Sequence, residues 1–157
     1  SSGFGPAAPY TNPVLPPGSA FWFRSATNSS GKLTVAGGVV MDSVVTNPVV
    51  VGLQLVANPF SDATTLNDLG IHQNAKGQRL LPGSAEQVMI WDAPSQAYLN
   101  LALYEWGTNN GWKAFSGFGP AAPYTYPVIP AGQGFWLRSV SGAFNWVRTN
   151  AYGGGLE

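Results

Sequence analysis

Several residue types that carry chemistry in proteins are absent or scarce in this chain. Its 157 residues include no cysteine, which excludes a disulfide framework, a thiolate metal site and a cysteine nucleophile. There is one histidine, and charged residues make up 9% of the chain, seven basic against seven acidic. A small and balanced charge creates no field that attracts nucleic acid or anionic lipid. We therefore expect neither partner.

Long hydrophobic runs are also absent. No window reaches the roughly eighteen apolar residues of a membrane span, so we expect no membrane insertion. The chain begins at Ser1 without a signal peptide, and we expect it to be a piece of a longer protein. Residues 151–157 are predicted to be a Gly-rich tail that ends in Leu156-Glu157, a tag scar.

What is present favours a folded chain. Apolar residues make up 45% of the sequence, and this fraction together with the low charge argues against disorder. The 20 glycines and 13 prolines fall between apolar runs and predict turns.

The clearest feature is an internal repeat. Ser2–Ser25 reads SGFGPAAPYTNPVLPPGSAFWFRS and Ser116–Ser139 reads SGFGPAAPYTYPVIPAGQGFWLRS, identical at 18 of 24 positions at an offset of 114. After a three-residue deletion the likeness continues weakly, with Ser30 matching Ser141 at an offset of 111. A period of this size is that of a whole domain and not of a solenoid unit.

The repeat predicts how the chain is organised. Residues 39–150 are predicted to be a complete β module, and residues 1–38 a partial repeat equivalent to 115–150. A partial repeat rich in aromatic residues and strand edges does not stay solvated. It is expected either to pack within its own chain or to replace the equivalent strands of a neighbouring molecule, which gives head-to-tail filaments or swapped dimers.

Short β-rich runs bounded by Gly, Pro or Asn predict eight or nine strands in an all-β antiparallel sandwich or barrel-like module. The one helical candidate is a single turn at Ala63–Leu69, capped by Ser61 or Asp62. The predicted strands are Ala20–Ser25, Lys32–Ala36, Val39–Val45, Val49–Ala57, Gln87–Trp91, Ala97–Trp106, Gly111–Phe115, Gly134–Val140 and Ala143–Arg148.

The aromatic strand of each repeat copy alternates with period two. In the first copy, Phe21 and Phe23 fall on one face and Trp22 and Arg24 on the other. The second copy repeats this pattern with Phe135 and Leu137 against Trp136 and Arg138. A third Trp-x-Arg occurs at Trp146 and Arg148, and we interpret all three as cation–π pairs on the outer side of a sheet.

Three motifs occur in a familiar order: Leu53-Gln-Leu-Val-Ala-Asn-Pro-Phe60, Val88-Met-Ile-Trp-Asp92 and Ile129-Pro-Ala-Gly-Gln-Gly-Phe-Trp-Leu-Arg138. Residues 49–148, which contain them, resemble uncharacterised tandem β-repeat modules of large secreted or surface proteins of environmental bacteria. The resemblance implies a β-rich building block located outside the cell or at its surface. It transfers no site residues.

Catalytic and metal sites have little support. His72 stands alone in a loop-like stretch, which is a poor basis for a catalytic triad or a zinc site. Glu86 and Asp92 flank one strand and are ~20 Å apart at ~3.3 Å per residue, too far for a glycosidase pair. We predict no enzyme and no cofactor. Structural calcium at Asn58–Asp62 or Leu66–Gly70 is an alternative to ordinary Asx-turns and capping.

We therefore predict a structural module for self-assembly or adhesion. The predicted contacts are the aromatic strands and two loop tyrosines: Tyr10, Phe21, Trp22, Phe23, Arg24, Tyr124, Phe135, Trp136, Leu137 and Arg138. The alternative is a carbohydrate-binding module in which Trp106 and Trp112 form a stacking platform for a glycan.

Overall fold

The computed structural model describes residues 14–22, 40–105, 110–114 and 128–150. Within these ranges the chain forms strands and two 3₁₀ turns, Ile71–Gln73 and Pro82–Ser84. The strands are β1 (Val44–Val49), β2 (Gly52–Ala57), β3 (Thr64–Thr65), β4 (Gln87–Asp92), β5 (Ala97–Tyr104), β6 (Gly111–Ala114), β7 (Val128–Ile129), β8 (Gly134–Ser139) and β9 (Phe144–Thr149).

Five strands form a central sheet in the order β2-β8-β4-β5-β6, and β1–β9 and β3–β7 form two smaller pairs. All of these pairs are antiparallel, which confirms the prediction of an all-β antiparallel fold. In the described part of the chain the sheets stay open and form no closed barrel.

One face of the central sheet carries the hydrophobic core. Phe135 and Leu137 of β8 are buried there beside Val88 and Ile90 of β4. Trp146 of β9 covers them from the opposite layer, with its ring centroid 6.3 Å from that of Phe135. Among the described residues, every member of the core cluster lies between residues 49 and 146, so residues 14–22 of the N-terminal repeat copy add none.

Strand β9 is fastened to the segment that follows β2. The Trp146 indole Nε1 donates to the Leu69 carbonyl at 2.7 Å. Arg148 Nη1 donates to the Asp68 carbonyl at 2.6 Å, and its Nη2 pairs with Asp62 Oδ2 at 2.6 Å. These bonds close a loop of about 80 residues between the two ends of the module.

The prediction of Trp146 and Arg148 as an outward cation–π pair is wrong. Trp146 is fully buried and Arg148 is 6% exposed, because both side chains lie on the face of β9 that covers the core. The Arg148 guanidinium lies instead over the ring of Phe60, at 5.9 Å. A buried guanidinium is tolerated here because Asp62 neutralises it.

The structure forms no helix at Ala63–Leu69, where a helical turn was predicted. Thr64–Thr65 form β3, and a hydrogen-bonded turn follows, in which the Leu69 amide donates to the Thr65 carbonyl at 3.1 Å. The Thr65 side chain, and not Ser61 or Asp62, caps this turn. The Asp68 amide donates to Thr65 Oγ1 at 3.2 Å, and that hydroxyl donates to the Asp68 carboxylate at 2.6 Å. Asp62 does not cap because its carboxylate is engaged by β9.

Strand β1 lies where the sequence predicted a break between Val39–Val45 and Val49–Ala57. It contains Pro48, which has no amide hydrogen to donate. Proline is accommodated because, within the described ranges, β1 pairs with β9 alone and is an edge strand. The predicted strand Lys32–Ala36 lies outside the described residues, as does the end of Ala20–Ser25.

Candidate functional site

The face of the central sheet that points away from the core carries a cluster of apolar and aromatic side chains. Register places Leu55 of β2 opposite Trp136 of β8, and Trp136 opposite Met89 of β4. One step further, Trp91 of β4 lies opposite Tyr98 of β5. We call these five side chains the aromatic face.

Two rings of the aromatic face contact one another. The Trp91 and Tyr98 centroids are 5.0 Å apart with an interplanar angle of 65°, an edge-on geometry that aromatic rings favour. Gln133, at the start of β8, donates from Nε2 to the Trp91 carbonyl at 3.2 Å. The rings are therefore held by the sheet register and by this side-chain bond.

The first repeat copy reaches this face. The Ala57 amide at the end of β2 donates to the Gly18 carbonyl at 2.8 Å, and Ser19 forms an antiparallel bridge with Val56. Beyond that bridge, Phe21 and Trp22 line a pocket of about 190 Å³. The remaining lining residues are Leu55, Trp91, Tyr98, Gln133, Gly134, Phe135 and Trp136.

Both repeat copies enter their aromatic strands through the same turn. The Ser19 amide donates to the Pro16 carbonyl at 3.0 Å, and the Gln133 amide donates to the Pro130 carbonyl at 3.1 Å. In each turn the third residue is a glycine at positive φ, 82° at Gly18 and 76° at its copy. This conformation favours glycine, so the repeated Pro-x-Gly encodes a repeated local structure.

The two copies then meet at equivalent positions. A Cβ placed on Gly134 would lie 2.9 Å from the Cβ of Ala20, closer than two carbon atoms approach without contact repulsion. Ala20 and Gly134 are related by the repeat offset of 114. The glycine in the second copy therefore allows the first copy to cross β8 at close range.

Equivalent phenylalanines have different surroundings in the two copies. Phe135 is 1% exposed, whereas Phe21 is 49% exposed and Trp22 58%. Phe21 of the first copy is therefore half exposed, although its equivalent in the second copy, Phe135, is buried in the core. Its burial against the aromatic face is only partial.

The predicted contact residues divide into two groups in the described part of the chain. Trp22 and Trp136 meet at the pocket of the aromatic face, together with Phe21. Phe135 and Leu137 belong to the core, with 1% and 0% of their surface exposed, although Phe135 also borders the pocket. Arg138 is exposed and donates from Nη1 to Gln87 Oε1 at 3.1 Å. Tyr10, Phe23, Arg24 and Tyr124 lie outside the described residues.

The predicted glycan platform is not formed by Trp112. Its side chain is fully buried, because β6 turns it to the core side opposite Leu103 of β5. A buried ring cannot stack on a sugar, so this part of the prediction is wrong. Trp106 lies outside the described residues.

The sequence analysis did not single out Trp91 and Tyr98, which the structure places in contact. Their signal was the alternation in Val88–Asp92, in which Val88 and Ile90 face one way and Trp91 the other. Pairing that strand with the next across Ala93–Gln96 would have placed Tyr98 beside Trp91.

The residues considered for catalysis do not converge. Glu86 is fully buried, and it accepts hydrogen bonds from the Val140 amide at 2.6 Å and from the amide and hydroxyl of Ser141. It fastens the turn between β8 and β9. Asp92 is exposed at the opposite end of β4. Among the described residues, no three His, Cys, Asp or Glu side chains cluster as a metal site would require.

Comparison with known proteins found no match to a protein-family model, a curated protein or a solved structure. No helix in the described ranges has the length and apolar character needed to cross a membrane.

Proposed function

We propose that this chain is a non-enzymatic structural repeat module of an extracellular bacterial protein, which self-assembles or adheres through its aromatic face. The observation that carries the proposal is the position of Phe21 and Trp22. They come from one repeat copy and lie on the aromatic face beside Trp136 of the other. The resemblance of the NPF, WD and PAGQGFW motifs to secreted β-repeat modules supports the location.

The contact of the first copy with the aromatic face is weak. Burying about half of Phe21 and of Trp22 contributes about 4 kcal/mol at ~25 cal/mol per Å². Ordering the five residues 18–22 costs about 5 kcal/mol or more. The two quantities nearly balance, so the segment undocks readily and leaves the face open. The same segment of a second molecule also carries an entropic cost of association, so it occupies the face only at high protein concentration.

The structure favours docking on the face over replacement of β8 and β9. At the offset of 111, the positions of Trp146 and Arg148 are occupied by Val35 and Gly37 in the first copy. These residues have no indole to donate to the Leu69 carbonyl and no guanidinium for Asp62. Full exchange would lose both anchors, whereas docking on the face keeps them.

Peptide binding tests this proposal. Residues 39–157 retain every core-cluster member that the structure describes, so this shorter chain is expected to fold with its face uncovered. A synthetic peptide of residues 14–25 is titrated into it by calorimetry. We expect saturable binding that is several-fold weaker with the full chain, where the attached copy competes.

Two variants of the shorter chain serve as a matched pair. Trp136→Ala removes the ring that Trp22 meets, and binding should fall about tenfold. Leu53→Ala removes a side chain from the same sheet face, outside the pocket, and binding should stay within about twofold. Absence of peptide binding to the shorter chain would refute the docking proposal. Light scattering against concentration then shows whether the full chain self-associates and the shorter chain does not.

A further inference from the structure

A second concavity adjoins the aromatic face at the end of the β4–β5 hairpin. It is a groove of about 670 Å³, within the range of small-ligand sites. Its lining combines two rings, several apolar side chains and a few polar groups. These residues are Ile90, Trp91, Asp92, Ala93, Pro94, Ser95, Tyr98, Leu99, Val128, Pro130 and Gln133.

The groove exists because two neighbouring strands separate. The ladder between β4 and β8 ends at Met89 and Trp136, although β4 continues to Asp92 paired with Ala97 of β5. Past that point the Gln133 side chain spans the gap to the Trp91 carbonyl. The cavity is thus built into the sheet itself, which makes it a preformed site.

The hairpin tip that borders the groove is well bonded. The Gln96 side chain donates from Nε2 to the Ala93 carbonyl at 2.7 Å, and Gln96 has a positive φ of 52°. The Ser95 hydroxyl donates to the Asp92 carbonyl at 3.5 Å. These bonds stabilise the backbone of the hairpin tip that carries Asp92.

The charge of the lining selects a kind of ligand. Asp92 supplies a carboxylate, and Gln133 keeps its Oε1 as an acceptor after donating from Nε2. No lysine or arginine occurs among the described residues that line the groove. An anionic ligand would meet one negative charge without compensation, whereas a neutral ligand rich in hydroxyls would find acceptors beside aromatic rings.

We propose that this groove binds a short neutral oligosaccharide. The apolar face of a sugar ring packs on the ring of Tyr98, which is itself in contact with Trp91. The Asp92 carboxylate accepts hydrogen bonds from the sugar hydroxyls. Hydrogen bonds to a carboxylate are stronger than those between neutral groups. This site stands apart from the platform predicted at Trp106 and Trp112, and it goes beyond the docking of a repeat copy.

Calorimetry on the full chain tests the proposal with four probes. Three are neutral hexasaccharides, built from glucose, mannose and N-acetylglucosamine, and the fourth is an oligogalacturonate, which is anionic. We expect at least one neutral probe to bind at least tenfold more tightly than the anionic one. Failure of all three neutral probes to bind, or a preference for the anionic one, would overturn the proposal.

Substitutions of groove residues test whether the oligosaccharide binds in this groove. Tyr98→Ala should weaken the neutral probe about tenfold, while Tyr98→Phe, which keeps the ring, should stay within about threefold. Asp92→Asn should weaken it several-fold. Leu53→Ala, which lies outside both this groove and the pocket of the aromatic face, should leave it unchanged. Binding that survives Tyr98→Ala would contradict the assignment.

Discussion

Arg148 reaches across the module to Asp62, with Nη2 2.6 Å from Oδ2, and its side chain is 6% exposed. The two residues belong to the last strand and to the segment after β2, 86 positions apart. A buried ion pair destabilises strongly when one partner is removed, because the other charge remains without compensation. This pair therefore contributes strongly to the attachment of β9, beside its ladder with β1 and the Trp146 bond.

Replacing that arginine gives the first prediction. Arg148→Ala should lower the free energy of unfolding by about 3 kcal/mol, because Asp62 and the Asp68 carbonyl lose their donors. Arg138→Ala, an exposed arginine on β8, is the matched control and should change it by less than about 0.5 kcal/mol. Urea denaturation measures both. Equal effects at the two positions would show that the buried pair is not a stabilising anchor.

Glu86 gives the second prediction. Its carboxylate is fully buried and accepts bonds from the amides of Val140 and Ser141. Glu86→Ala should cost about 3 kcal/mol, since several donors lose their acceptor inside the protein. Glu105→Ala removes an exposed glutamate that accepts one bond, from the Gly77 amide at 3.2 Å, and should cost about 1 kcal/mol. A smaller loss at Glu86 than at Glu105 would argue against this role.

Two fully buried tryptophans allow a matched comparison. Trp146 donates from its indole to the Leu69 carbonyl, while the indole nitrogen of Trp112 has no partner among the described residues. Trp146→Phe loses both packing and a bond, whereas Trp112→Phe loses packing and removes an unsatisfied donor. We expect Trp146→Phe to be more destabilising by about 1–2 kcal/mol. The opposite order in urea denaturation would contradict the hydrogen-bond assignment.

Gly134 tests the crossing of the two repeat copies. Gly134→Ala places a methyl group against Ala20, so peptide 14–25 should bind the shorter chain at least fivefold more weakly. Gly83→Ala, where a methyl group meets nothing within 4 Å, should leave binding unchanged. If both alanine variants bind the peptide as the parent does, the segment does not cross β8 at this position.

The sequence predicted the fold class and the facing of β8 correctly. In Gly134–Ser139 the apolar side of the alternation is also the buried side, so Phe135 and Leu137 were separated from Trp136 and Arg138. These successes rest on local patterns, which residues close in sequence determine. The helical turn predicted at Ala63–Leu69 is β3 followed by a hydrogen-bonded turn, and the 3₁₀ turns lie at Ile71–Gln73 and Pro82–Ser84.

The failures concern contacts between residues far apart in sequence. Alternation shows that Trp146 and Arg148 share a face, but not that this face covers the core. A strand face that carries an arginine is normally predicted to be exposed to solvent. Arg148 is buried because it pairs with Asp62, and the two residues become neighbours only in the folded chain. Trp112 was misplaced for the same reason, since burial of β6 depends on its pairing with β5. The groove beside Trp91 arises from the separation of two strands, which no local pattern records.

The most direct measurement of the central claim uses the absence of cysteine from the chain. A variant with Ala20→Cys and Gly134→Cys tests whether the first copy crosses β8. If it does, the two thiols can form a disulfide, because the two Cβ atoms need to move apart by only about 1 Å to reach disulfide geometry. We expect mild oxidation of a dilute sample to give a disulfide within the monomer, and disulfide-linked dimers to increase with protein concentration. Two free thiols at every concentration would contradict the account, because the repeat copy would not lie on the aromatic face.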